Sequence, residues 1–219
     1  MGAVKLERPW LEFDLGAPMQ VLSWAVNRPG LVTARRILWR EVKNRDLPRD
    51  LDVEDWLAQE LARRGASDAV AFLTSRDVRC YSETKAAAGG VEAQAVATVG
   101  LSNGERVGRR VADYASRDWG TINVALRLSA GLTQAALIEA MSIAVQARTV
   151  AVIDAGHMLP TGRATGTGTD CVAVAAPSGS LAYAGLHTEA GEAIGRAVYE
   201  AVLSGALEWK TTNRRAEHA

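Results

Sequence analysis

Apolar positions in the first hundred residues come in short bursts rather than long stripes. Residues 10–14 and 19–24 read as two strands, with Gly16-Ala17-Pro18 as a tight connection between them. Asn27-Arg28-Pro29-Gly30 reads as a turn. Val53, Trp56, Leu57 and Leu61 then recur at helical spacing, and Arg63 and Arg64 followed by Gly65 supply a basic last turn and a C-terminal glycine. Residues 69–74, 78–82 and 91–101 predict three more strands. Ser75-Arg76-Asp77 joins the first two, and connections this short imply antiparallel pairing.

The second half changes period. After the polar stretch 103–119, residues 122–128 alternate in strand fashion, and Thr133 is placed to cap a helix that runs to Arg148. Residues 150–154 and 171–176 read as short apolar strands, the second closed by the turn Pro177-Ser178-Gly179-Ser180. Ala190, Ala193, Ile194, Ala197, Val198, Ala201 and Val202 trace the clearest amphipathic stripe in the chain, so the last helix packs on a sheet. Strand runs with a few separated helices and no regular βαβ alternation predict α+β architecture: one layered domain over residues 1–209, with a mainly antiparallel or mixed sheet and packed helices. Residues 210–219 read as a polar tail.

Charge narrows the partners. Twenty-five Lys plus Arg balance twenty-five Asp plus Glu, so no global field favours nucleic acid or an anionic membrane, and neither is expected as a partner. No stretch reads as a membrane span of about 18 apolar residues, and the N-terminus has no secretory pattern. The two cysteines, Cys80 and Cys171, have no metal or redox spacing and read as buried free thiols. Together these features predict a cytoplasmic protein, with self-association left open.

The candidate chemistry lies where apolar segments end. His187 falls on the side of Ala190, Ile194 and Val198 just before the last helix, where the helix dipole disfavours a protonated ring; it is either a neutral base or a cap. Glu189 either orients that ring or complements the dipole, and Glu192 pairs with Arg196 one turn on. The run Thr165-Gly166-Thr167-Gly168-Thr169-Asp170 can wrap phosphate or amide oxygens with backbone N–H groups, with Asp170 as turn cap or acid. It lacks the sequence of a P-loop, so a phosphate-ligand enzyme is the weaker reading. Ser102 with Asn103, and Thr121 with Asn123, place hydroxyls and amides at strand ends, where amide hydrolysis can use a nucleophile and oxyanion donors. The nucleophile stays open between a hydroxyl and a water. Asp154, His157 and His187 match no established zinc spacing, so no metal is expected. Glu139 reads as part of a polar helix stripe with Ser142 and Gln146.

Four segments in order, Thr98-Val99-Gly100-Leu101-Ser102-Asn103, Gly120-Thr121-Ile122-Asn123, Thr165 through Asp170, and Gly185-Leu186-His187-Thr188-Glu189 running on through Gly191, Ile194, Gly195, Arg196, Tyr199 and Glu200, resemble the adenosylcobinamide amidohydrolase (CbiZ) family. The resemblance spans about Val21 to Leu203. Departures are Gly104, where alanine is common, and Leu186, where a polar residue is common. It implies hydrolysis of the amide joining the aminopropanol arm to the corrin ring, in corrinoid salvage, with some relatives acting on complete cobamides in remodelling. It implies a corrinoid as substrate and no required cofactor. Set against it is a corrinoid-binding or carrier protein without the chemistry. The resemblance further implies His187, Asp170, Asn103, Asn123, Ser102, Thr121 and Glu189 as catalytic candidates converging on one cleft. Thr165, Gly166, Thr167, Gly168, Thr169, Ser23 and Trp24 are the substrate contacts. Six tryptophans against two phenylalanines suit a wide flat ligand, with Trp24, Trp56 and Trp119 equally readable as core.

Overall fold

The computed structural model describes residues 2–43, 46–48, 50–109 and 120–217. In chain order the elements are β1 (Ala3–Glu7), β2 (Trp10–Ser23), β3 (Gly30–Glu41), α1 (Val53–Arg63), β4 (Val70–Thr74), β5 (Tyr81–Ala88), β6 (Val91–Val99), β7 (Gly104–Glu105), β8 (Ile122–Leu128), α2 (Gln134–Ala155), β9 (Met158–Leu159), β10 (Gly162–Arg163), β11 (Gly166–Thr167), β12 (Cys171–Ala176) and α3 (Glu189–Glu217). The main sheet runs β4-β3-β2-β12-β8-β6-β5, with β1 added to β2. Only β3 with β4 and β8 with β12 are parallel among these pairs, so the sheet is mixed and the architecture is α+β.

Alternation along the strands divides the core. Ile122, Val124 and Leu126 of β8 and Val172 and Val174 of β12 face α2 and α3, forming the larger apolar cluster. The intervening Ala125, Cys171, Ala173 and Ala175 face the other way, onto Leu11, Phe13, Trp39 and Phe72. Ile194, Val198 and Val202 of α3 are fully buried, each worth roughly 1.5–3 kcal/mol. A third cluster seats α1, through Leu57 and Leu61, on Trp10, Leu38 and Ala71.

Helix ends follow their cap chemistry. The Thr133 hydroxyl accepts Ala136 N–H at 3.2 Å, Asp52 accepts Asp55 N–H at 3.0 Å, and α2 ends on Gly156 in the left-handed region. The Thr188 hydroxyl accepts Gly191 N–H at 3.0 Å and so caps α3.

Several expectations are corrected. Residues 10–23 form one strand, because Gly16-Ala17-Pro18 makes a bulge between Asp14 and Met19 rather than a reversal. The strand Gly30–Glu41, unpredicted, pairs with it. Residues 70–74 and 81–88 do not pair: β4 joins β3 in parallel at one edge, and β5 lies at the other. A single 3-10 turn at Val78–Cys80 leads into β5. Residues 150–154, expected as a strand, are the last turns of α2, because Ala151, Val152 and Ala155 continue its buried side and packing overrides the β-branched run. That makes α2 long and apolar enough to cross a membrane by composition, contrary to expectation, but it is a core helix packed on the sheet and α3. Residues 210–217, expected as a tail, continue α3. Buried Trp209 anchors them, and Lys210 Nζ donates to the Ala155 and Gly156 carbonyls at the end of α2.

Glu41, with a side chain 3% exposed, is the ionic knot of the β3 end: it accepts from Arg8 (2.7 Å) and Val78 N–H (3.3 Å) and pairs with Lys43 (2.9 Å). Burial opposes its ionisation, but those partners outweigh it and hold its pKa below the ordinary value. Arg79 likewise brings Asp77 down to about 2. Because both pKa values are depressed on folding, the stability they contribute is present above about pH 4.5 and is lost as pH falls toward about 2. Glu41→Ala should lower stability by about 2 kcal/mol at pH 7, less than a fully buried pair because Arg8 and Lys43 reach solvent. Urea midpoints measured at pH 7 and pH 3 check this, with the deficit smaller at pH 3.

Candidate active site

Three of the four motif segments meet where β6 ends and β8 and β12 begin. The short ladder β7–β11 pairs Gly104 with Thr167 and Glu105 with Gly166, which fastens the Asn103 segment to the threonine-glycine run. The Thr121 hydroxyl donates to the Thr169 carbonyl at 2.8 Å, Gly168 N–H donates to the Asn103 carbonyl at 3.1 Å, and Asn103 Nδ2 donates to the Thr169 hydroxyl at 3.4 Å. The packing leaves no room for larger residues: a Cβ on Gly120 would strike Ser102 Oγ, and one on Gly168 would press on the Asn103 amide.

Asp170 is the anchor of this edge. Its carboxylate accepts from Thr167 N–H at 3.0 Å, from Ile122 N–H at 3.3 Å, and from the Thr167 hydroxyl, and it forms an ion pair with Arg148 of α2. Arg148 Nη1 also donates to the Thr165 carbonyl at 3.1 Å. Burial pushes the Asp170 pKa up, while Arg148 and the three other donors pull it back. Gly166 exists for this pair, since a Cβ there would collide with Arg148 and Asp170.

The run does not offer an open nest of N–H groups. Thr165, Thr167 and Gly168 N–H are spent on Glu105, Asp170 and Asn103, and the Thr165 hydroxyl accepts Val107 N–H at 2.8 Å. The phosphate-loop reading is thereby discounted: the segment builds a wall.

His157 completes the edge. It follows the C-cap of α2 and is half-buried, its Cδ2 close enough to Gly104 that a Cβ there would lie at 3.3 Å, and its ring meets Trp209 edge-on at 5.3 Å. Burial, then the Lys210 ammonium, lowers its pKa from 6.5, so the ring is neutral at pH 7.

His187 is elsewhere, which corrects the single-cleft expectation. Glu189 accepts Gly90 N–H at 3.2 Å at the β5–β6 hairpin, whereas Asn123 pairs with Thr98 at the far end of β6. The extended run from Gly90 to Thr98 measures roughly 26 Å, which puts exposed His187 about 20 Å or more from Asn123 and Asp170. Glu189 braces the hairpin instead of orienting the imidazole. Asn123 is also turned away: it faces the opposite side of the sheet from Asp170 and donates to the Leu73 carbonyl at 2.8 Å. The Gly185 segment serves packing, with Glu139 accepting Ala184 N–H at 2.7 Å and leaving no space for a Cβ at Gly185. Asp154 sits at the helical end of α2 and accepts the Tyr199 hydroxyl at 3.0 Å. With His157 and His187 at opposite ends, the three do not form one group.

Of the substrate candidates, Ser23 turns inward toward the Cys171 thiol at 3.8 Å, and burial pushes that thiol up to about 12. Trp24 stays 46% exposed while its Nε1 donates to the Asp170 carbonyl at 2.7 Å. Trp56 lies under the Arg40 guanidinium, and Trp119 falls outside the described residues. Arg148 was missed by reading the sequence; the available signal was an arginine in an apolar helix with no acid three or four residues away.

The family model for adenosylcobinamide amidohydrolase (CbiZ) matches residues 2–214. An uncharacterised protein of Methanocaldococcus jannaschii is 32% identical over 128 residues, which cover 48% of this chain and 49% of that protein. The chain therefore spans about half the length of the curated relative it matches.

Proposed function

Because the chain belongs to the adenosylcobinamide amidohydrolase family, we propose that it hydrolyses the amide between the aminopropanol arm and the corrin ring of adenosylcobinamide, releasing adenosylcobyric acid and aminopropanol. The observation that carries this reading at the level of residues is the meeting of three motif segments with a neutral imidazole at one end of the central strands.

In this reading His157 is the base. It takes a proton from a water whose oxygen adds to the amide carbon, and Asn103 supplies an amide donor for the oxyanion. The C–N bond then breaks, and His157 returns its proton to the departing amine, leaving cobyrate and the amine. Water is preferred over a side-chain nucleophile because the Thr121 hydroxyl is committed to Thr169, Ser102 is packed on Gly120, and Cys171 is held as a thiol. Asp170 positions the wall and does not exchange protons. Complete cobamides carry the same amide, so remodelling follows if their lower-ligand loop fits.

The test is incubation of purified protein with adenosylcobinamide in the dark, followed by chromatography. Adenosylcobyric acid and aminopropanol should appear in equal amounts. Spectral binding without aminopropanol release would leave a corrinoid-binding protein in place of the enzyme.

A further inference from the structure

We propose that Arg106 and Arg109, which face each other at the tip of the arm that β7 begins, clamp a phosphate carried on the aminopropanol oxygen of the substrate. Phosphorylated arms are then the preferred substrates. The clamp rests on the amidohydrolase reading above and supplies it with a specificity-determining pair.

Beyond β7 the chain turns at Val107 and Gly108, the latter in the left-handed region, and returns so that Arg109 N–H donates to the Arg106 carbonyl at 3.0 Å. The two arginines form an antiparallel bridge, which puts both side chains on one face. Like charges placed directly opposite one another repel. Among the described residues neither guanidinium pairs with a carboxylate, whereas those of Arg8, Arg36, Arg40, Arg64 and Arg148 all do. Two facing cations without an acid make a site for an anion with several acceptor oxygens, and the planar arginine fork matches phosphate.

The face they occupy is that of His157. Arg106 lies over Gly162, its Cδ, Nε and Cζ between 3.4 and 3.7 Å from where a Cβ would stand, and its Nη1 donates to the Arg163 carbonyl at 2.9 Å. Gly162 pairs with Leu159, and Ala164 N–H donates to the His157 carbonyl at 2.9 Å, so Arg106, Leu159 and His157 share one face of the β9–β10 hairpin. Arg163 pairs with Met158 and takes the other face. Leu159 Cδ2 and His157 Cδ2 lie 3.1 and 3.3 Å from the Cβ position of Gly104, and Arg106 follows Gly104 by two residues, about 7 Å of extended chain. The substrate's own spacing fits. A phosphorus on the aminopropanol oxygen is four bonds from the amide nitrogen, roughly 5 Å, so a phosphate held by the clamp leaves the scissile amide within reach of the imidazole.

The test compares kcat/KM for adenosylcobinamide, for its phosphate monoester on the arm, and for a complete cobamide, which carries the same phosphate as a diester, in the parent and in Arg106→Gln and Arg109→Gln. The parent should prefer a phosphate-bearing substrate by about 10-fold or more, and each variant should lose about 10-fold of that preference. Raising KCl from about 50 to about 500 mM should narrow the preference in the parent and not in the variants, a response that a merely structural loss in the arm does not produce. Arg106→Lys should keep part of the preference. Arg163→Gln, on the other face of the hairpin, should behave as the parent does. Loss confined to the monoester, or shared with the diester, says which ester the clamp holds, and either supports it. No preference in the parent, or one unchanged in both Gln variants, overturns the clamp and leaves the amidohydrolase reading standing. A parent that hydrolyses none of the three overturns both.

Discussion

Arg148→Ala should lower the stability of the fold by about 3 kcal/mol and reduce turnover by about 100-fold or more. Arg148 and Asp170 are 12% and 8% exposed, so removing the cation leaves a carboxylate in the protein with only the Thr167 and Ile122 donors. The released wall then loosens around Asn103 and Thr121, whose side chains both bond to Thr169 on the segment that Asp170 holds. Arg148 acts through that wall and touches no reacting atom, so Arg148→Lys should recover much of the stability and less of the turnover: an ammonium on a shorter stem restores the charge but not the reach and direction with which Nη1 serves both Thr165 and Asp170. A pH series gives an independent reading. Burial already raises the Asp170 pKa, and without Arg148 it rises further. A raised folded pKa for an acid gives stability that is full below the unfolded value and is lost as pH rises through the folded value. The stability gap between variant and parent should therefore narrow from pH 8 to pH 5. Denaturant midpoints across that range decide it, and a constant gap would mean that Asp170 is not the group left uncompensated.

The second large effect separates two histidines. His157→Ala should reduce kcat by about 100-fold, whereas His187→Ala should change it by less than about threefold. His157 sits beside Gly104 and Trp209 at the edge where the motifs meet; His187 is exposed at the start of α3. The pH dependence distinguishes a proton-transfer role from a packing role. The folded His157 pKa is below 6.5, so activity should persist down through pH 6.5 and fall only in more acidic buffer. Stability follows the same sign: a depressed histidine contributes stability above about pH 6.5 that is lost as pH falls through the folded value. Lys210→Met removes the neighbouring ammonium, and the acid limb should move toward higher pH. If His187→Ala abolishes activity and His157→Ala does not, the reaction belongs to the opposite end of the strands.

The division between these histidines shows where reading the sequence reached its limit. Local patterning determined α1 and the buried stripe of α3, because burying one face of a helix imposes a spacing that a single segment carries, and it determined the strands at 91–99 and 122–128 as short apolar runs, because both of their faces are buried. It also located the motif residues that line the sheet edge, since small and hydroxyl-bearing side chains at strand ends are local features. Pairing between distant segments was not legible. The parallel join of β4 to β3 and the path of residues 150–155 as helix depend on which surfaces are left to bury once the rest has packed.

The same limit governs the site. His187 and Asp170 both stand at the ends of apolar segments, so in sequence they look equivalent. Only the direction in which β12 crosses the sheet and α3 returns over it places one at each end. Arg148 and His157, whose neighbours in the chain are apolar or small, acquire their roles from Asp170, Gly104 and Trp209, partners that the tertiary structure brings from other segments. The sequence by itself determined which residue types are present for the chemistry. The tertiary structure decided which of them share a site, because electrostatic pairing and hydrogen bonding depend on distances that the chain's own spacing does not set.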